Sequence, residues 1–553
     1  MLHFSGQKDY HPGITKEEYR PAENRGIYMS YSKTFLRRDA LKLMGSSVVL
    51  AGAAGTFPLR AMAADAAKGG VLRVSIQNRP KELSPFNSLN HTGYLIAELL
   101  YSGLTRVDEN LQAAPDLAES WSANPEATEF TFKLRDASFH SGAPVTAADV
   151  KASIEAVLDE KTGSGSRTAI GPISAVEVID EKTVKVVARA PYADMPVTLG
   201  DPRMKIVPAR ILEAEGVEGL YNAADGSGPF KLGEFDLDRK IEFMPNADYW
   251  DSAYPKVGAV HLLHYPDLNA EVLAFQNKEV DAMIIVDNAN FNLLSQNPKI
   301  ATRRQSTARW FGLVMRFDRA PFDNVKVRQA LRYTLDRQAM IDIVLDGYGR
   351  LAYDNILSDD YPYYHQPEKP KRDIEKAKAL MAEAGHADGV SLTIYTADRP
   401  AERMKVALAI KEMAKPAGFN IEVRRVPYDE YLDKVWKKET AYVAAWSMKP
   451  TMDARYTALL KSDAPWGDTA WNNAEFDELV DRVQQTVDPD ERKELFRQIQ
   501  ELTNRDVPYI IPFYQDYLAA HWKHVENFEM HPLQYSHRLE RSWLTDEAPG
   551  RKT

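Results

Sequence analysis

With 553 residues the chain is too long for one ordinary hydrophobic core, so two or three domains are expected. A formal net charge of −10 and a pI near 5.8 exclude the basic face a nucleic-acid partner would need. The absence of cysteine from the sequence excludes a disulfide framework, a thiol nucleophile and an acylated cysteine anchor.

The first element is a signal. Arg37-Arg38 precedes an apolar, Gly- and Ala-rich stretch over 43–59, too short and small-residued for a good membrane span, and Ala61-Met62-Ala63 offers a small-residue cleavage site. Pair, apolar run and cleavage site in that order resemble a twin-arginine export signal, so residues 1–63 are read as an N-terminal extension and that signal, with Met29 as an alternative start. The mature chain is then expected to be periplasmic and free of a lipid anchor.

Val71 to Ile76 reads as a strand after Gly69-Gly70, and Phe130 to Arg135 alternates as a second strand should. Thr146 is placed to cap the helix that follows it. Gly226-Ser227-Gly228-Pro229-Phe230 is glycine-rich but lacks the Lys and Ser/Thr of a phosphate loop. The stretch Trp310 to Leu345 organises the rest. Trp310 to Phe317 reads as a strand, Asp323 or Asn324 can cap a helix, and Val327, Ala330, Leu331, Thr334 and Leu335 form one apolar stripe. Beyond it strands and helices alternate: a helix capped by Asp373, a βαβ unit over 391–426, a helix through Phe476 to Val483, and another capped by Asp488 with proline at its first position.

Several of these segments resemble, in one order, the solute-binding proteins of ABC importers of the peptide/nickel/opine type, family 5. The resemblance rests on Arg319-Ala320-Pro321-Phe322-Asp323-Asn324 running into Val327-Arg328 and Asp336-Arg337. It rests also on Pro115 to Trp121, on Phe139-His140-Ser141-Gly142 with Val145 to Val150, on Gly226 to Phe230 with Asn246 to Trp250, and on Phe275 to Asp281, where Lys278 stands in the family's glycine position. It covers roughly residues 70–520. It implies an α/β, periplasmic binding protein-like two-lobe fold of the large class, with an extra subdomain and two crossover strands as hinge. The implied division is lobe I from 68–103, 205–316 and 516–545, the inserted subdomain 104–204, and lobe II 317–515.

The implied function is capture of a small solute between two lobes and its delivery to an ABC permease and ATPase complex, by a monomer without a cofactor. In peptide-binding relatives an aspartate after a Gly-Trp pair meets the ligand's ammonium; here Trp446 is kept and that position falls to Lys449. Arg316 stands where relatives usually have Asn. Two gained cations suggest a carboxylate- or phosphate-bearing ligand held by Arg316 and Lys449 with Trp446 stacking. Cations that are solvated, or paired with Asp318 or Asp453, leave no anion site and are the alternative; Asp453 could also restore an amine contact, keeping peptides open. His91 and Tyr94 would face the same cleft. His261 with His264 and His521 with His524 sit three apart in strand-like segments and point to opposite faces, so no metal site is expected. An exported hydrolase on a similar scaffold is the rival, but neither a His-Glu-x-x-His nor a Gly-x-Ser-x-Gly motif occurs. A ligand sensor or chaperone with the same fold is not separated by sequence.

Overall fold

The computed structural model describes residues 69–551, apart from 81, 88–89, 168–169, 222–223, 237–238 and 535–536. The expected export signal, with Arg37 and Arg38, lies outside the described residues. The first part of the chain supplies β1 (Val71–Ile76), α1 (His91–Leu100), β2 (Ala118–Ala123), β3 (Glu129–Leu134), α2 (Ala147–Leu158), β4 (Ile173–Asp180) and β5 (Thr183–Ala188). Next come β6 (Phe230–Asp236), β7 (Lys240–Pro245), β8 (Ala259–His264) and β9 (Ala282–Met283). The long strand β10 (Ile300–Met315) leads to α3 (Val325–Tyr333), α4 (Arg337–Leu345), α5 (Ile374–Glu383), β11 (Val390–Ala397), α6 (Glu402–Ala414), β12 (Phe419–Val426) and β13 (Ala441–Trp446). The chain closes through α7 (Met452–Leu459), α8 (Ala474–Gln485), α9 (Pro489–Asp506) and β14 (Phe513–Trp522).

These strands build a sheet in the order β12-β11-β13-β10-β14-β9-β1-β8-β7-β6, and a separate antiparallel sheet β2-β3-β5-β4. Around β1 the core is continuous: Leu72 and Val74 share one cluster with Phe130 and Phe132 of β3 and with Val150 and Ile154 of α2. Thr146 starts α2 because the Asp149 carboxylate accepts from its backbone N–H at 2.9 Å and its hydroxyl at 2.8 Å, while the other oxygen takes the Ala209 N–H at 2.8 Å. The glycines at 226 and 228 permit a close approach to the end of α1: a Cβ at Gly226 would lie 1.8 Å from the Leu100 carbonyl oxygen. The Gly226–Phe230 segment is therefore a packing device. His140 fastens it, its ring nitrogens 3.2 Å from the carbonyls of Ala224 and Gly228.

In the second half, β10 alternates as a strand buried on both faces must. Trp310 and Val314 join Tyr442, Phe476 and Phe496, whereas Phe311, Leu313 and Met315 join Val327, Leu331 and Ile410. The expected caps are made: Asn324 accepts from Lys326 N, Asp373 from Lys376 N, and Asp488 from the N–H groups of Asp490 and Glu491. β11, α6 and β12 form the expected parallel βαβ unit.

Two strands join the halves. β10 runs antiparallel to β14 from Ile300↔Trp522 to Gln305↔Tyr517, loses register, and resumes at Arg309↔Gln515; its last residues pair with β13. Residues Ser306 to Ala308 fill the break, where the Thr307 hydroxyl donates to Gln515 O at 2.7 Å and accepts from Arg309 N at 2.9 Å. A break of this kind bends a strand locally, and Ala308 at its end already belongs to the second-half core. The strand expected from Trp310 thus begins ten positions earlier, at Ile300, and stops at Met315.

The signature arginines after β10 are spent on structure. Arg332 and Arg337 both reach Asp354 (3.1 and 2.7 Å), and Asp354 also accepts from Ile511 N at 3.0 Å. Arg328 lies 3.6 Å from the Phe317 ring centroid and donates to the carbonyls of Phe322 and Asp506. These contacts tie α3 and α4 to the approach of β14.

Candidate functional site

The strands β11 and β12 are parallel, and β13 is parallel to β11, so all three end at one edge of the sheet. In open α/β sheets ligands bind in the crevice outside such carboxyl ends. Trp446 is the last residue of β13 and stacks on Trp466, centroids 5.6 Å apart, with Trp436 on another side at 6.5 Å. Its Nε1–H points to Asp468 Oδ2 at 3.4 Å, and the Tyr509 hydroxyl donates to the other oxygen of Asp468. Burial pushes the Asp468 carboxyl up to about 6, partly offset by those two neutral donors.

Lys449 follows on the same loop. Its Nζ stands 4.8 Å from the Trp466 centroid, and the Tyr361 hydroxyl donates to its carbonyl at 2.7 Å. Burial, together with the nearby Arg203 and Arg455 guanidinium groups, lowers the affinity of the ammonium for its proton; Asp201 offsets this only in part. Among the described residues no carboxylate comes within salt-bridge range of Nζ. Arg203 belongs to the segment before β6; it grips Asp201 through two nitrogens at 2.9 Å and lies 5.8 Å from the ring of Tyr94. Arg203 and Tyr94 lie together in the first half, and the Arg203 charge acts on Lys449, which shares the second-half loop cluster with Trp446 and Trp466. Arg455 ties this loop to the β10 break: it donates to Ser447 O and, at 3.3 Å, to Ala308 O.

His91 and Tyr94 share the half-buried face of α1 with Glu98. His91 Nε2 lies 3.1 Å from His537 Nε2, and burial pushes its pKa down to about 4, so at neutral pH it is an uncharged ring packed on another ring. Arg316 is not brought to Lys449. It sits beside Thr440, at the opposite end of β13 from Trp446, about 20 Å of strand away. Its guanidinium is taken by Asp318 (2.9 and 2.7 Å) and the Lys437 carbonyl (2.8 Å), the pairing that the sequence held open.

Asp453 is also elsewhere. It is 1% exposed at the start of α7. One oxygen accepts from Gln484 at 3.3 Å and the other is buried without a hydrogen-bond partner among the described residues. Beside it Asp194 pairs with Arg492 at 2.6 Å; burial and then the Asp453 charge raise the Asp194 pKa, against the pull of Arg492. This is a contact between the 104–204 segment and α9.

Sequence reasoning missed Trp436, Trp466, Arg203 and Tyr361. The one available signal was Pro465-Trp466-Gly467, an indole set in a turn where no core demands it. The four histidines of the two spaced pairs are used locally: His261 Nε2 meets Glu242 at 2.8 Å, His264 Nδ1 lies 3.5 Å from Arg79 Nε, His524 Nε2 meets Asp281 at 2.8 Å, and His521 packs on Phe528. Among the described residues no group of three or more His, Asp or Glu side chains could hold a metal ion, and no helix is long and apolar enough to cross a membrane.

The sequence profile of the bacterial extracellular solute-binding proteins, family 5, matches residues 112–468. The glutathione-binding protein GsiB of Escherichia coli K12 is 25% identical over 487 residues, covering 86% of this chain and 94% of its own. Among solved structures, the binding protein AgaA from A. tumefaciens R10, in complex with agropinic acid, superposes with a TM-score of 0.70 at 27% identity, covering 86% of this chain and 99% of its own. HbpA2 from Haemophilus parasuis reaches 0.78 at 21% identity, covering 86% and 100%, and speaks for the fold alone.

Proposed function

The chain belongs to the bacterial extracellular solute-binding proteins of family 5, the solute receptors of ABC transporters, and from that premise we propose that its solute is an acidic small molecule taken up at Lys449 and Trp446. The observation that carries the reading is Lys449 itself. A partly buried ammonium without a carboxylate partner is costly, and here the Arg203 and Arg455 guanidinium groups act against its charge while Asp201 offsets them only in part. An incoming carboxylate or phosphate supplies the missing partner, and the Trp446–Trp466 stack offers a flat apolar wall beside it. Relatives that bind glutathione and agropinic acid support an acidic amino-acid conjugate or opine-like compound over a plain peptide.

Capture then follows from geometry. Tyr94 and Arg203 come from one half and Lys449 and Trp446 from the other, so a solute touching both favours the closed arrangement over any open one. We propose that the receptor acts as a periplasmic monomer after export by the twin-arginine route, hands its solute unchanged to a permease, and catalyses no reaction. Mass spectrometry of material copurified with the mature protein tests the reading, followed by calorimetry with the compound found, before and after Lys449→Glu. An acidic solute recovered intact, with affinity lost in the variant, is expected. A neutral or cationic solute, or affinity indifferent to Lys449, overturns it; turnover of the solute returns the hydrolase.

A further inference from the structure

The 104–204 segment is built into the first half: Phe130, Phe132, Val150 and Ile154 share one core with Leu72 and Val74 of β1. It also reaches the second half. Val107 and Leu111 belong to the apolar cluster of Tyr361 and Met452, and the Ala193 N–H donates to the Gln484 carbonyl at 2.8 Å. A cavity of about 60 Å3 remains where they meet, walled by Leu111 and Val197 on one side and by Tyr361 and Met452 on the other, with the Asp194–Arg492 pair in its wall. Interiors that fold as one body leave few spaces larger than a water, so these faces meet without merging.

The polar contact at this joint is prepared from the second-half side. Arg492 Nη1 donates to the carbonyls of Val483 and Thr486 at 2.9 and 3.0 Å, which presents Nη2 to Asp194 at 2.6 Å. The two side chains are 7% and 15% exposed. Asp453 lies beside them, one oxygen accepting from Gln484 and the other without a partner among the described residues. One guanidinium thus serves two buried carboxylates, a poor arrangement for permanent stability, since apolar residues of the same volume would hold such a joint as well or better. Its advantage is reversibility. When the faces part, water solvates both charges, whereas an apolar joint would resist opening with its full buried area.

The second-half side of this joint is the solute loop. Pro450, Thr451 and Met452 of the wall follow Lys449 directly, and Tyr361, also in the wall, donates its hydroxyl to the Lys449 carbonyl at 2.7 Å. We infer that Asp194 and Arg492 form a reversible clasp by which the 104–204 segment holds the second half closed over the first, so that the clasp, without touching solute, sets the closed fraction of the solute-free protein. The inference rests on the open-and-closed reading of capture and is independent of the solute's charge. A larger closed fraction raises apparent affinity in proportion, which gives the segment a function besides packing. In this role Asp194 and Arg492 are positioning residues.

The chain has no cysteine, so Lys161→Cys and Glu412→Cys, at exposed positions in the first and second half, carry a pair of spin labels without background. Electron–electron double resonance then reads the distance between them, on protein stripped of small molecules by dialysis in mild denaturant. Asp194→Ala should lower the ratio of short to long distances ~10-fold. Asp194→Asn, which still accepts from Arg492, should keep the ratio within about threefold of the parent. Asp194→Ser, too short to reach the guanidinium, repeats the test if the alanine variant does not fold. Lys449→Met removes a charge of the same sign as Arg203 and should raise the ratio. If the alanine or serine variant leaves the distances unchanged while Lys449→Met moves them, the clasp is overturned and closure stands. If asparagine lowers the ratio as far as alanine, the contact that matters is not the Arg492 pair, and the clasp is overturned as well. A single distance that no variant moves shows one fixed body and overturns clasp and capture together.

Discussion

Asp281 and Asp468 are both 0% exposed, one in each half of the molecule, and their surroundings treat them oppositely. Asp281 receives Arg73 through two side-chain nitrogens (2.8 and 2.7 Å) and the Arg73 N–H at 2.9 Å, with His524 Nε2 at 2.8 Å. Burial alone raises its pKa, but the His524 and Arg73 contacts outweigh it and hold the carboxyl below its ordinary range. Asp468 has a hydroxyl and an indole instead, and burial wins, leaving it at about 6. The first aspartate welds β1 to the region around β9 and β14. The second lies under the Trp446 cage with its charge unsettled. Matched charge marks scaffold, and unmatched charge marks the place where something else is meant to bind; Lys449 belongs with Asp468 in this respect.

The largest effect comes from breaking the matched side. Arg73→Met leaves a buried carboxylate with His524 and the backbone N–H of residue 73 but no guanidinium, and removal of one partner from such a pair costs about 3–5 kcal/mol. Urea unfolding at pH 7 should show that loss with solute affinity retained in the folded fraction. A loss under about 1 kcal/mol would mean the Asp281 network is not scaffold. Because the Asp281 pKa is depressed, its stabilisation is present above the ordinary carboxylate range and disappears as pH falls through the depressed value.

Asp468 titrates with the reverse sign. A folded pKa raised from 3.8 to about 6 gives a contribution that is full below the unfolded value and lost as pH rises through 6, amounting to ~3 kcal/mol by pH 7. Asp468→Asn keeps an acceptor for Tyr509 and removes the titration. The stability of the native protein relative to this variant should therefore fall between pH 4 and pH 7, measured by unfolding at each pH. Parallel curves for the two proteins would refute the buried, neutrally partnered aspartate.

Lys449→Met separates binding from folding. Loss of a charged hydrogen bond to the solute should weaken affinity by ~2 kcal/mol, roughly 30-fold. The solute-free protein should hold its melting temperature or gain, since the variant buries no unmatched ammonium beside Arg203 and Arg455. A fall in both quantities together would make Lys449 part of the scaffold.

What the sequence made legible was local. Caps at Asn324, Asp373 and Asp488 and the βαβ unit depend on neighbours a few residues away, and all formed as read. The first half of β10 was not legible, because a strand crossing between two cores has no apolar side to display: Arg303 and Arg304 are exposed and Gln305 is half-buried. The site was half legible. Trp446 and Lys449 stood out by position in a familiar segment, whereas Arg203 and Trp466 reach them only through tertiary folding. Arg316 was legible as a cation but not as a spent one. Its partner Asp318 sits two residues on, where the chain has left the strand and can turn the carboxylate back.

The smallest prediction returns to the matched side, at the turn that delivers Asp281. Lys278 takes the position of the family's glycine and adopts φ of +64°, the left-handed conformation that costs a side-chain-bearing residue ~1–2 kcal/mol. Against that cost stands the Lys278 ammonium, 5.1 Å from the Trp522 centroid, worth ~0.5–1 kcal/mol at an exposed site, and the larger chain entropy of glycine when unfolded. Strain relief is the larger quantity, so Lys278→Gly should stabilise the protein by ~0.5 kcal/mol, read as a raised urea midpoint with unchanged slope. Lys278→Asn, which tolerates this conformation without gaining flexibility, should move the midpoint the same way. If both variants are destabilised, the cation over Trp522 outweighs the backbone, and the turn before Asp281 is fastened by its side chain.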